Sequence, residues 1–121
     1  MKTGDLYLVN LDPAVGDEIR KTRPVVVLNP GHAKHLRLAI VVPVTAWKDR
    51  WETNPFFLTL DPEARHGLRK RSAVDCFQLR ALSHGRFVKK LGSLSGNEID
   101  RVKSSVALIL GIEPEHCLLH F

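Results

Sequence analysis

Asp17, Glu18, Arg20, Lys21 and Arg23 fall within one short polar stretch, between the apolar runs Leu6 to Leu11 and Val25 to Leu28. A permanently charged guanidinium beside an ammonium and carboxylates suits a site that handles an anion. Arg23 stands directly before Pro24, whose locked φ and missing N–H define where the second strand can begin. Its planar fork matches two phosphate oxygens, and it could also pair with Asp17 or Glu18. Thr45 closes a later apolar run two residues after Pro43. Its hydroxyl could hold a phosphate oxygen, or the residue could be a β-branched strand filler. Glu18 is a candidate base or an organiser of Arg23 and Lys21, because a loop carboxylate needs burial to reach the pKa of an efficient base.

Further cations and aromatics surround these positions. Arg65, Arg69, Lys70 and Arg71 form a dense basic run that is either an electrostatic funnel or a solvated loop. Trp47 and Trp51 flank Lys48, Asp49 and Arg50, an interleaving that suits stacking of unpaired bases or packing in a core. Arginine is a poor proton donor, so a histidine would be the usual acid. Of the six histidines, His84 is the best placed; His32 and His35 have no Cys or carboxylate set beside them, and no metal site is expected.

The elements that must hold these residues are short strands separated by turn signals. The pattern predicts strands over Asp5 to Leu11, Pro24 to Asn29, Leu36 to Thr45, Phe56 to Leu60, Ser72 to Gln78 continuing into Leu79 to Leu82, and Arg86 to Leu91. Pro43 predicts a strand end or bulge. Ser95 to Glu98 reads as a capping box, followed by Ile99, Val102, Val106, Ile109 and Leu110 at helical spacing, with Gly111 as the stop. A helix from about Glu98 to Leu110 should therefore cover one face of a small antiparallel sheet. The tail, with Leu118, Leu119 and Phe121, would dock on the core or on a second copy.

One domain is expected from 121 residues, with 44% hydrophobic residues and no need of staples. The net charge of +5 points to an acidic partner, of which nucleic acid is the commonest. No apolar run approaches the roughly 20 residues of a membrane span. The start, MKTGDLYLV, lacks a signal-peptide pattern, so Cys76 and Cys117 are expected as reduced thiols in the cytoplasm.

Three motifs carry a resemblance. The first runs through Gly4-Asp5, Val9, Leu11, Pro13, Gly16, Glu18, Lys21 and Arg23-Pro24; the second is Val41 to Ala46; the third is Ser72 to Phe87. With the capped helix, they resemble the MazF/PemK-like endoribonuclease toxins of bacterial toxin–antitoxin pairs over nearly the whole chain. The resemblance implies an SH3-like antiparallel β-barrel with a C-terminal helix, acting as a homodimer and neutralised by a cognate antitoxin. It also implies sequence-specific cleavage of single-stranded RNA by its own 2′-OH, without metal or cofactor, leaving a 2′,3′-cyclic phosphate and a 5′-hydroxyl. Arg23, Thr45 and Glu18 would be catalytic; Lys21, Trp47, Gln78, Arg80, His84 and Arg86 would bind RNA. Many relatives carry Asp before the glutamine, where this chain has Phe77 and its acid at Asp75; two residues apart on one strand, both would share a face. The alternative on the same fold is a non-catalytic toxin that inhibits DNA gyrase, which would need no phosphate-site arginine in the first loop.

Overall fold

Residues 1–30 and 35–113 are described by the structure, a computed structural model. Among them the strands β1 (Asp5–Asn10), β2 (Thr22–Val27), β3 (Leu38–Ala46), β4 (Phe57–Leu60), β5 (Ser72–Asp75), β6 (Arg80–Ser83) and β7 (Phe87–Ser93) precede the helix α1 (Gly96–Ile109). All pairings are antiparallel, in the order β4-β5-β3-β2-β1-β7, with β6 also paired to β3. The expected mainly antiparallel sheet with a C-terminal helix is thus observed.

The central strands are buried on both faces, which explains the unbroken valine run. Val26 joins Leu6, Val42, Val44 and Val102 in the core under α1, whereas Val25 and Val27 join Val9, Val41 and Leu82 on the other side. Burying each such side chain contributes on the order of 1.5–3 kcal/mol. A one-residue slip of β2 would exchange the two sets, so the register is fixed by packing on both sides.

Both prolines sit inside strands, and in each case one flank is unpaired. β2 begins at Thr22, two residues before Pro24; Pro24 pairs with Leu8 of β1, while pairing to β3 starts only at Val25. Pro43 does not end β3. It lies where that strand changes partners, after the Leu38–Val41 segment paired to β6 and before the Val44–Ala46 segment paired to β5. A residue without an N–H costs nothing where no neighbour asks for one.

The run expected from Ser72 to Leu82 is two strands rather than one. A 3-10 turn over Cys76–Gln78 interrupts it, with the Asp75 carboxylate accepting the Phe77 N–H at 3.2 Å. That turn ends the alternation: Asp75 is buried, while Phe77 is 63% exposed, so the two do not share a face.

The sheet does not close by hydrogen bonds, but its ends are bridged. The segment after β4 lies against β7, where the Ser93 N–H donates to the Arg65 carbonyl at 2.7 Å. Contact is so close that a Cβ on Gly92 would collide with that same carbonyl. The capping box forms as expected: Ser95 Oγ accepts the Glu98 N–H at 3.2 Å, and Glu98 Oε1 accepts the Ser95 N–H at 2.8 Å. Gly111, at φ +67°, stops the helix. Ile99, Val102, Val106 and Ile109 pack on the core, but Leu110 caps the last turn and is 57% exposed. His32, Cys117, Leu118, Leu119 and Phe121, for which the sequence carries expectations, lie outside the described residues.

Candidate active site

Arg23 and Thr45 come from β2 and β3, and the sheet brings them to one cleft of about 640 Å³. Leu8, Pro24 and Val44 line it with Arg69, Lys70 and Lys89. Ser72 adds a second hydroxyl, and among the described residues no carboxylate lines the cleft. Among the described residues no acidic side chain pairs with Arg23; its Nε donates to the Arg20 carbonyl at 3.3 Å. The alternative pairing with Asp17 or Glu18 is therefore not made. A half-buried guanidinium without a counter-ion, beside a strand-end hydroxyl, can hold a phosphoryl group by charge and by directed hydrogen bonds.

Glu18 lies elsewhere. With Asp17, Phe77, Gln78, Leu79, Arg80 and Ala81 it lines a second groove of about 670 Å³. Its Oε1 accepts the Val15 N–H at 2.6 Å, which stiffens the β1–β2 loop. Gln78 ties that loop down from the other side: its Oε1 accepts the Ile19 N–H at 2.7 Å and its Nε2 donates to the Asp17 carbonyl at 3.3 Å. Beneath, burial pushes the Asp75 carboxyl upward, and hydrogen bonds from Phe77 and Gln78 only partly offset this.

The remaining expected residues are spread around these two features. Arg86 donates from Nη1 to the carbonyls of Asp12 at 2.6 Å and Asn10 at 3.2 Å, clamping the loop's base. Lys21 is exposed at φ 70°, with its N–H on Asp12 Oδ1 at 2.9 Å. Trp47 follows β3 directly, and the Arg71 guanidinium covers its ring at 5.1 Å. Trp51 stacks on Phe57 at 4.1 Å, a packing role. His84 sits edge-on to Phe87 at 6.1 Å in a third groove with Tyr7 and Leu36, not in the Arg23 cleft.

Lys89 was not apparent from sequence. Its place depends on the pairing of Leu8 with both Pro24 and Lys89, a register across three strands that no local pattern reveals. The one available signal was the spacing of Lys89 and Leu91, which puts both on one strand face, and both line the cleft.

A small antiparallel sheet crossed by one helix, with a cationic cleft at the strand ends, defines the class: a small, mainly antiparallel β protein with a C-terminal helix. The chain belongs to the PemK-like, MazF-like toxins of type II toxin–antitoxin systems, whose family profile matches residues 2–110. It is 32% identical over 107 residues to the endoribonuclease PemK of Escherichia coli, covering 88% of this chain and 73% of that one. The crystal structure of MazF from Deinococcus radiodurans superposes with a TM-score of 0.76 at 26% identity, covering 92% of this chain and 96% of the other. A MazE–MazF structure from the same organism gives 0.72 at 25% identity, over 93% and 97%. The resemblance carried by the three sequence motifs is thereby borne out.

Proposed function

We propose that this protein is a toxin endoribonuclease that cuts single-stranded RNA, mRNA included, at particular sequences and without a metal ion. In the reaction the RNA's 2′-oxygen bonds to the adjacent phosphorus as it loses its proton, and the P–O5′ bond breaks as O5′ gains one. The products are a 2′,3′-cyclic phosphate and a 5′-hydroxyl. Arg23 stabilises the charge that develops on the phosphoryl oxygens, and the Thr45 hydroxyl holds one of them. The observation that carries this is the cleft shared by Arg23 and Thr45, with no carboxylate among its described lining residues. The name endoribonuclease borne by the Escherichia coli relative supports it.

We assign further roles to the residues around the cleft. Glu18 acts through the loop it braces, as a positioning residue. Lys21 and Arg80 meet the RNA backbone, and Trp47 offers a face for an unpaired base. Gln78, His84 and Arg86 line the path, with Gln78 and Arg86 also fixing the loop over which RNA runs. A cognate antitoxin, acidic and disordered when free, would fold onto the cationic cleft and block it. The MazE–MazF assembly of the Deinococcus radiodurans relative supports such a partner. No described helix is long and apolar enough to cross a membrane, and we place the toxin in the cytoplasm with its mRNA substrate.

The direct test is incubation with a long single-stranded RNA in EDTA. Discrete cuts by the wild type and none by Arg23→Ala are expected. Intact RNA combined with loss of gyrase supercoiling activity would transfer the protein to the gyrase-inhibitor class.

A further inference from the structure

The basic residues around the cleft are sorted in a way that the chemistry at one phosphate does not require. Within the run from Arg65 to Arg71, the two ends are neutralised. Arg65 pairs with Glu63 at 2.7 Å and lies 3.5 Å from Glu98; Arg71 pairs with Asp61 at 3.3 Å. The middle pair, Arg69 and Lys70, has no carboxylate partner among the described residues and lines the cleft. The same division recurs on β7. Lys90 pairs with Asp5 at 3.4 Å, whereas its neighbour Lys89 is unpaired among the described residues and lines the cleft.

Four cations, Arg23, Arg69, Lys70 and Lys89, therefore meet in one cleft with no opposite charge among the described residues. A single phosphodiester brings one negative charge, which Arg23 alone would balance. Lys89 and Pro24 lie on opposite flanks of Leu8, two strand spacings or about 10 Å apart at the backbone. Arg69 and Lys70 stand on the segment that bridges to β7, which is firmly fixed. His66 is fully buried, its Nδ1 3.0 Å from the Asp61 carbonyl and its Nε2 3.0 Å from Glu98 Oε1. Gly67, at φ +70°, then turns the chain against the Leu91 backbone.

We infer that Lys89, Arg69 and Lys70 form a second phosphate subsite in this cleft, which takes the phosphodiester next to the one on Arg23. It rests on the nuclease proposal and extends it by assigning which cations hold the flanking nucleotide. The subsite binds ground state and transition state alike, so its residues set affinity rather than the chemical rate.

The test measures affinity against salt concentration with a mixed-sequence single-stranded 2′-deoxy oligonucleotide, which has phosphates but no attacking 2′-hydroxyl. Each lost phosphate contact should reduce the slope of log K against log salt by about 0.7. Lys89→Ala is expected to show that reduction with several-fold weaker binding, and Arg69→Ala/Lys70→Ala a larger one. Lys90→Ala, which removes an equal charge outside the cleft, should leave the slope unchanged. On cleavable RNA, Lys89→Ala should raise KM with kcat preserved. Equal slopes for Lys89→Ala and wild type, with wild-type RNA cleavage intact, would overturn the subsite alone. A loss of kcat with unchanged KM in Lys89→Ala would also overturn it. A wild-type protein that neither binds the oligonucleotide nor cuts RNA would overturn both the subsite and the nuclease.

Discussion

Arg23 owes its availability to what surrounds it. Glu18, the nearest acid in sequence on that loop able to neutralise it, spends its Oε1 on the Val15 N–H. Among the described residues the guanidinium is left with one backbone acceptor, the Arg20 carbonyl, and a cleft without carboxylates. Removing one preorganised donor to a developing oxyanion costs roughly 10²–10³ in rate. Arg23→Ala should lose that much in kcat while the protein melts at nearly its wild-type temperature. Arg23→Lys should recover only part of the rate, because an ammonium cannot reproduce the bidentate fork. Thr45→Val keeps the strand's shape and deletes the hydroxyl. Single-turnover rates should fall by less than for Arg23→Ala, and an unchanged rate would remove Thr45 from the site.

The elements supply a rigid frame through a few polar ties. The helix start is joined to the cleft's wall through Glu98, which accepts from Ser95 and faces buried His66. Burial pushes the Glu98 carboxyl upward, but hydrogen bonds from His66 and Ser95 outweigh it and hold its pKa below the usual glutamate range. Its folded pKa is therefore lower than its unfolded one. The stabilisation is full above the unfolded value and fades as pH falls through the folded value. Melting curves should show Glu98→Gln less stable than wild type near neutral pH, with the gap narrowing in acid. A gap independent of pH would contradict this. Ser95→Ala, which removes the helix cap, should cost about 1 kcal/mol in denaturant titrations.

The helix was readable because its signals are local: a capping box, a 3.6-residue apolar repeat and a stop glycine all lie within one stretch. The strands were readable as apolar runs, but their ends depended on partners. Pro24 and Pro43 looked like boundaries and are interior, since each falls where a flanking strand is absent. Asp75 and Phe77 looked like neighbours on one face until a turn separated them. Arg23 and Thr45 stand out in the sequence because the motifs contain them, and the structure brings both to one cleft. Lys89 does not stand out, because only the three-strand register brings it to the cleft.

At the scale of the whole molecule, charge and an apolar surface each imply a partner. The chain carries a net charge of +5, and four of its cations, Arg23, Arg69, Lys70 and Lys89, meet in the cleft. At the start of β3 and just before it, Leu36 is 50% exposed, Leu38 53% and Ile40 39%, and all three line an apolar groove. Such a face suits a second copy of the chain. Sedimentation at micromolar concentration should give twice the 13.6 kDa of one chain; a purely monomeric species would contradict a homodimer. If Arg23 serves an attack by the RNA's own 2′-oxygen, the chemistry of the product ends reports it. RNA cut in EDTA by the wild type should carry 2′,3′-cyclic phosphate and 5′-hydroxyl termini, with the same cuts lost in Arg23→Ala. Ends bearing a 5′-phosphate and a 3′-hydroxyl, or full cleavage by Arg23→Ala, would contradict it.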